Sequence, residues 1–193
     1  MTEVDASTLD AAEIWYLLDG DDRIVDVGGA WDEVAAKGGA PHLAGEQLLG
    51  SSIYNHVAGH FTKKFLRAFL AQARLSDELT RQAYRCDSPA AKRLMEMRAV
   101  VEGLDRLRVS HIMLGERALP FAVHVREAPR AQARRLRCSS CNRLRLKDGQ
   151  VWMEPEECLA AGETALVMHT ICPDCRMQVG MRRQGAIFFP AQR

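Results

Sequence analysis

The sequence predicts an α+β protein: an antiparallel sheet with helices on one face, followed by a small cysteine-rich module. Short apolar runs typical of strands lie at both ends of the first two thirds of the chain, and a stretch with helical periodicity lies between them. Two Cys-x-x-Cys pairs lie in the last third. Strands that group at both ends of a segment, with helices between, favour one antiparallel sheet over alternating βαβ units.

The first part of the chain predicts a hairpin followed by helices. Apolar runs at residues 14–19 and 23–27 flank the turn sequence Asp-Gly-Asp-Asp, which predicts a β-hairpin. Residues 30–41 predict a short helix that ends at the Gly-Gly-x-Pro sequence, and residues 42–57 predict irregular helical turns. Residues 61–75 predict the longest helix, because apolar side chains recur there at helical spacing with basic residues on the other side.

Three strand-like segments follow at residues 80–87, 94–104 and 107–114. Residues 119–125 predict one more strand or a turn, and residues 126–137 predict a basic linker. We therefore divide the chain into an N-terminal extension (1–12), a sheet domain (13–128), a metal-binding module with its basic linker (129–181) and a C-terminal tail (182–193).

The order β-β-α-α-α-β-β-β, with its detail, resembles a PAS domain. The sequences that carry the resemblance are WYLLDGDDRIVDVGGAWDEVA, LLGSSIYNHV and the long helix after them, and the resemblance covers residues 13–116. PAS domains commonly bind small ligands between helix and sheet, or pair with another PAS domain. The resemblance thus implies an antiparallel PAS-like sheet with a pocket whose ligand is unknown. It also implies a sensor or a dimerisation domain.

Three residues are candidates for such a pocket. Haem-binding PAS domains use a histidine on the central helices, where His56 and His60 lie, although surface or capping histidines are the alternative interpretation. Arg85 could bind an anion with its planar guanidinium. The alternative is that the following Asp-Ser-Pro sequence is simply a hairpin turn.

The cysteine spacing predicts one tetrahedral zinc site. Cys138-x-x-Cys141 is followed, after 30 residues, by Cys172-x-x-Cys175, and two separated Cys-x-x-Cys pairs are typical of a zinc ribbon. Four thiolates leave no open position on the metal, so the zinc is predicted to be structural. His169 lies three residues before Cys172, and it could replace a cysteine or donate a hydrogen bond to a thiolate.

The cysteine-rich segment carries a second resemblance. The sequences CSSCNRL, WMEPEE and HTICPDC are similar to cysteine-rich segments found after PAS or receiver domains in bacterial signalling proteins, and they cover residues 138–175. Between the pairs, the sequence predicts a hairpin at 144–153, a short helix at 154–162 and a strand at 165–170. A module this small depends on zinc for much of its folding energy.

Charge is unevenly distributed although the net charge is only +1. The first 33 residues carry ten acids and one base, whereas residues 126–147 carry eight bases and one acid. Arg137, Arg143 and Arg176 lie beside the cysteine pairs and could offset the negative charge of a four-thiolate zinc site. The alternative is that this basic cluster binds nucleic acid.

These observations predict a non-enzymatic bacterial sensory or regulatory protein. No nucleophile–base pair or pair of carboxylates indicates an enzyme. No apolar run is long enough for a membrane span, and the acidic N-terminus lacks an apolar signal region, so we expect a cytoplasmic protein. Its expected partner is a second copy of the chain or another protein. A nucleic-acid-binding transcriptional regulator and a redox-responsive zinc switch are the alternatives.

Overall fold

The computed structural model describes residues 14–37, 43–76 and 78–182. The predicted extension at 1–12, the Gly-Gly-x-Pro helix stop and the part of the tail after residue 182 lie outside the described residues.

The first sheet has five antiparallel strands in the order β2-β1-β5-β4-β3. Its strands are β1 (Ile14–Leu18), β2 (Ile24–Gly29), β3 (Thr80–Arg85), β4 (Ala91–Glu102) and β5 (Arg106–Ala118). The helices α1 (Trp31–Lys37), α2 (Gly45–Leu48) and α3 (His60–Arg74) lie between β2 and β3, with a 3₁₀ turn at Ile53–His56. The predicted α+β class and antiparallel sheet are confirmed.

Local chemistry explains the first hairpin. The Asp19 carboxylate accepts the backbone N–H groups of Asp21 and Arg23 at 3.0 and 2.9 Å. Asp22 adopts a φ of 58°, a left-handed conformation that Asp tolerates. The turn is then held against the long helix, because Arg74 Nη2 donates to Asp22 Oδ1 at 2.8 Å.

The main core lies between the sheet and the helices. Buried side chains from alternate positions of β1, β4 and β5 meet the apolar side of α3. The core residues are Tyr16, Leu18, Ile24, Leu48, Ile53, Leu66, Phe69, Leu70, Ala73, Met97, Ala99, Leu107 and Val109. Alternation in the strands and the 3.6-residue period in α3 thus place the helices and the apolar side chains on the same face of the sheet.

A second sheet carries the cysteines. It has the order β6-β9-β7-β8, with β6 and β7 parallel to β9 and with β8 antiparallel to β7. The strands are β6 (His124–Glu127), β7 (Arg135–Cys138), β8 (Leu144–Leu146) and β9 (Thr164–Thr170). The helices are α4 (Pro155–Cys158), which lies between β8 and β9, and α5 (Pro173–Arg182), which follows β9.

Two predicted elements pair differently from the expectation. Of the segment 119–125, for which a strand or a turn was predicted, residues 119–123 form a turn into β6, which extends into the predicted linker and pairs with β9 of the second sheet. The rest of that linker contains β7. The predicted 144–153 hairpin is reduced to β8 and a single bridge from Leu144 to Met153, because β8 pairs with β7 instead. The domain boundary at residue 128 stays a prediction. Strand β6 precedes this boundary in sequence but pairs with the second sheet, which lies after it.

Candidate metal centre and the adjoining cavity

The two parallel strands β7 and β9 bring the four cysteines together. Cys138 ends β7 opposite Thr170 in β9, so both Cys-x-x-Cys segments begin at the same end of the second sheet. Their ligand atoms all lie within 4.8 Å of one another. Cys138, Cys172 and Cys175 are buried, and Cys141 is half-buried. The predicted clustering is therefore confirmed.

Backbone geometry shapes both cysteine turns. Asn142 has a φ of 60°, a left-handed conformation that Asn tolerates, and its N–H donates to the Cys138 carbonyl at 2.9 Å. The N–H of Cys172 donates to Cys138 Sγ at 3.3 Å, and the N–H of Cys175 donates to Cys172 Sγ at 3.5 Å. Backbone donors of this kind stabilise sulfur in its thiolate form.

The neighbouring thiols favour ionisation of one cysteine and oppose ionisation of another. Hydrogen bonds from the neighbouring thiols of Cys141, Cys172 and Cys175 lower the pKa of Cys138. The same crowding raises the pKa of Cys175, first through its hydrogen bond with Cys138. Four thiolates therefore need a cation among them. A buried four-sulfur donor set fits a soft or borderline metal ion such as zinc.

Of the three arginines expected to offset the thiolate charge, Arg143 contacts the sulfurs. Its Nε lies 3.3 Å from Cys141 Sγ, its Nη2 lies 3.8 Å from Cys172 Sγ, and Nη2 also donates to Asp174 at 2.7 Å. Arg176 instead places its guanidinium 5.8 Å from the centre of the Phe61 ring. Burial lowers the pKa of Arg137, whose Nε is buried with no hydrogen-bond partner among the described residues.

His169 lies beside Ser139 and Gly59 rather than among the cysteine sulfurs. In the described part of the chain, the four cysteines form the only group of His, Cys, Asp and Glu side chains spaced for a metal, and His169 is not part of it. Its Nδ1 lies 3.3 Å from Ser139 Oγ, which in turn accepts the Thr62 hydroxyl at 2.6 Å. Burial lowers the pKa of His169, which favours the neutral imidazole.

The segment 138–142, here called the first knuckle, docks on the free edge of β3. The Arg85 N–H donates to the Ser140 carbonyl at 2.7 Å, and Asn142 Nδ2 donates to the Arg85 carbonyl at 3.2 Å. These bonds continue the hydrogen-bonding pattern of an edge strand that would otherwise remain open. The metal module and the five-stranded sheet are thereby joined directly through the backbone.

A close approach joins the start of α3 to β9. Gly59 precedes α3 with φ 79° and ψ 132°, a conformation that favours glycine. A Cβ at this position would lie 2.7 Å from the Cβ of His169. Phe65, one turn into α3, packs against the cysteine cluster. Residues 59–65 thus form the helix surface on which the cysteine module rests.

The Arg85 side chain lies in an ion-pair network. Its guanidinium contacts the carboxylates of Asp87 and Glu154, the latter at 2.7 Å. Lys92 Nζ lies 2.7 Å from the same Glu154 carboxylate. Asp87 also accepts the Arg93 N–H at 3.1 Å, as expected for a turn. The network therefore links β3 and β4 to the start of α4.

A cavity of about 320 Å³ lies between the first sheet, the helices and the first knuckle. Its lining is mostly apolar and comes from all three parts. The lining residues are Tyr16, Ile24, Trp31, Leu43, Leu48, Ile53, His56, Val57, Thr62, Phe65, Leu66, Gln82, Tyr84, Met97, His111, Ser139, Ser140 and Ile171. Its size falls at the lower end of the range for small-molecule pockets.

Of the three predicted pocket residues, His56 lines the cavity. Its Nε2 lies 2.7 Å from Ser51 Oγ. His60 and Arg85 are not among the lining residues, and the His60 ring instead packs edge-on against Phe61 at 5.7 Å. The sequence prediction missed Tyr84 and His111 as lining residues, because His111 lies in a strand with no clean apolar alternation.

Neutral polar groups complete the cavity wall. The Tyr84 hydroxyl lies 2.8 Å from His111 Nδ1. Burial lowers the pKa of His111 to about 4, so its imidazole is neutral near pH 7. Among the described residues that line the cavity, none is Asp, Glu, Lys or Arg.

Comparisons with known proteins give limited similarity. The chain matches no protein-family model and no curated protein sequence. A domain of an HTR-like protein from Haloarcula marismortui resembles it in structure with a TM-score of 0.35 and 12% sequence identity, over 53% of this chain and 97% of that domain. In the described residues, no helix has the length and apolar character to cross a membrane.

Proposed function

We propose that this chain is a non-enzymatic sensory or regulatory protein, in which a PAS-like sensor domain is coupled to a structural zinc module. One observation carries the proposal: the cavity of the five-stranded sheet takes part of its wall from the first cysteine knuckle, through Ser139 and Ser140. A ligand that binds in the cavity would therefore contact the metal module directly, through Ser139 and Ser140.

The sensor assignment is supported by the element order and by the sequences that resemble PAS domains. A hairpin, a run of helices and a three-strand meander form one antiparallel sheet, with the cavity between that sheet and the helices. A ligand in this position would contact α3 and the central strands together. Fold alone does not identify the signal, so the proposal depends on the cavity and its wall.

The structural role of zinc is supported by the donor set and by burial. Four cysteines fill a tetrahedral site without an open position, and three of them are buried. The small apolar cluster around the cysteines is formed by Cys138, Ile171, Cys172 and Cys175. So small a core needs the metal to hold its chain segments in place. The same burial disfavours the redox-switch alternative, because an oxidant has little access to these sulfurs.

The basic residues support a structural role more than a nucleic-acid interface. Arg135 donates to Glu163 at 2.7 Å, and Arg145 donates to the Gly149 carbonyl at 2.5 Å. Lys147 donates to the Arg130 carbonyl at 3.1 Å. Arg135 and Arg145 are thus bonded within the chain and only half-exposed, although the exposed Lys147 stays accessible to a phosphate. The output would then pass through a protein partner or a second copy of the chain.

Elemental analysis and an absorption spectrum of the purified full chain test the proposal. We expect one zinc per chain, with no haem or flavin absorption, and we expect chelation to release the metal module from the first sheet. Iron in place of zinc, or a chain that retains the same near-ultraviolet circular dichroism after metal removal, would contradict a structural zinc module.

A further inference from the structure

The cavity and the metal site share a wall, and this arrangement has consequences for binding. Ser139 and Ser140 line the cavity and lie between the ligands Cys138 and Cys141. Ile171 lines it from the other side of the cluster, directly before Cys172. Three of the lining residues therefore occupy positions that the metal fixes.

The same wall is bonded to the sensor domain at two points beside the cavity. Thr62, itself a lining residue, donates to the Ser139 hydroxyl at 2.6 Å. Arg85 at the end of β3 donates to the Ser140 carbonyl at 2.7 Å. If the first knuckle leaves this position, the cavity loses its wall and opens to water.

The chemistry of the lining specifies the ligand. Apolar side chains form most of it, and its polar side chains include Gln82, Tyr84, His111, the two serines, Thr62 and the exposed His56, but no Asp, Glu, Lys or Arg. An ionised group would lose its hydration without gaining a carboxylate, ammonium or guanidinium counter-ion from the lining, which is strongly unfavourable. A neutral polar group could instead pair with these side chains.

We propose that the cavity binds an uncharged, largely apolar small molecule, and that this binding is reciprocally coupled to metal loading of the cysteine cluster. The inference rests on the proposed function and names its ligand class and its regulation. Ligand binding favours the docked knuckle, and the metal-ordered knuckle favours ligand binding, by the same coupling free energy. The chain would thus respond to the ligand only in its metal-loaded form.

Fluorescent probes of matched shape test the ligand class on the metal-loaded full chain. N-phenyl-1-naphthylamine is uncharged, and 1-anilinonaphthalene-8-sulfonate has the same rings with a sulfonate. We expect saturable binding of the neutral probe and binding of the sulfonate at least about tenfold weaker. Equal affinities would overturn the ligand class.

A pair of neighbouring variants shows whether the probe occupies this cavity. Val57 lines it and Ala58 is exposed. We expect Val57→Phe, which fills the cavity, to weaken binding of the neutral probe, and we expect Ala58→Phe to leave it unchanged. Equal effects of the two substitutions would overturn the assignment of the site.

Two measurements test the coupling. Chelation of the metal should weaken binding of the neutral probe at least about tenfold, which corresponds to about 1.4 kcal/mol of coupling. Asn142→Gly keeps all four cysteines and permits the same left-handed backbone, and it removes the bond from Asn142 Nδ2 to the Arg85 carbonyl, a contact outside the cavity lining. It should weaken binding about three- to tenfold, whereas Thr80→Val, also outside the cavity, should not. Unchanged affinity in Asn142→Gly would overturn the coupling even if the chelated protein unfolds.

The two proposals fail in different ways. Zinc retained at one per chain, together with absent or uncoupled probe binding, would overturn this inference and leave the structural zinc module standing. Coupled probe binding to a chain that carries a metal other than zinc would overturn the zinc assignment and support the inference.

Discussion

Substitution of Gly59 by alanine tests how closely the cysteine-bearing sheet packs against the start of α3. Gly59 has φ 79° and ψ 132°, which an L-residue adopts at a cost of about 1–3 kcal/mol. Its new Cβ would lie 2.7 Å from the Cβ of His169, a distance that forces either α3 or β9 to move. Overpacking of this kind costs a further 1–3 kcal/mol or so. We expect a total loss of about 2 kcal/mol or more in the free energy of unfolding.

A double-mutant cycle separates the two contributions. His169→Gly removes the Cβ that the new methyl group would strike but leaves the backbone strain at position 59. We therefore expect Gly59→Ala to cost at least about 1 kcal/mol less in the His169→Gly background than in the wild type. Urea unfolding of the zinc-loaded protein, followed by circular dichroism, measures both values. An equal cost in the two backgrounds would refute the close contact between α3 and β9.

Three further predictions concern the metal site, the ion-pair network and the cavity. Cys175→Ser should lose zinc during dialysis while Cys158→Ser retains one per chain, as measured by elemental analysis; full zinc retention in Cys175→Ser would contradict the four-cysteine site. Arg85→Met should destabilise the protein by about 1–3 kcal/mol, because it leaves Asp87 without its cation and Glu154 with Lys92 alone at a site where the Arg85 side chain is only 15% exposed. Arg81→Met, at a pair where the arginine is 48% exposed, should cost below about 1 kcal/mol in the same urea titration, and equal losses would argue against the network. The pKa of His111 falls from 6.5 to about 4 on folding, so its contribution to stability is present above pH 6.5 and is lost as the pH falls from 6.5 towards 4. Wild type should therefore lose about 2 kcal/mol more than His111→Gln between pH 7 and pH 5, and parallel pH profiles would contradict a buried neutral His111.

Local patterns were enough to predict the first sheet and the long helix. The run around Asp19 and Gly20 specifies its own turn, and the apolar spacing from Phe61 to Ala73 specifies the buried side of α3, so neither depends on distant contacts. The cysteine cluster was predictable for a similar reason: each Cys-x-x-Cys pair is a local unit, and only a shared ion makes two such pairs compatible in one small core.

The second sheet and the joint between the modules could not be predicted locally. β6 was ambiguous because its pairing with β9 is parallel and spans about forty residues of sequence, which no local pattern encodes. The cavity wall depends on the docking of the first knuckle on β3, which no local pattern encodes. From the sequence alone, Ser139 and Ser140 could be identified only as the two residues between Cys138 and Cys141. Arg85 was predicted as a pocket residue that could bind an anion, whereas the partners of its guanidinium in the structure are carboxylates of the chain itself.

Residue-resolved amide hydrogen exchange tests the central claim most directly, namely that the metal holds the first knuckle against the sensor sheet. The Arg85 N–H donates to the Ser140 carbonyl of the knuckle, whereas Val109 lies in the central strand β5 between β1 and β4. We expect chelation of zinc to abolish protection at Arg85 while the amide of Val109 remains protected. Equal protection of Arg85 in the zinc-loaded and the chelated protein would contradict it.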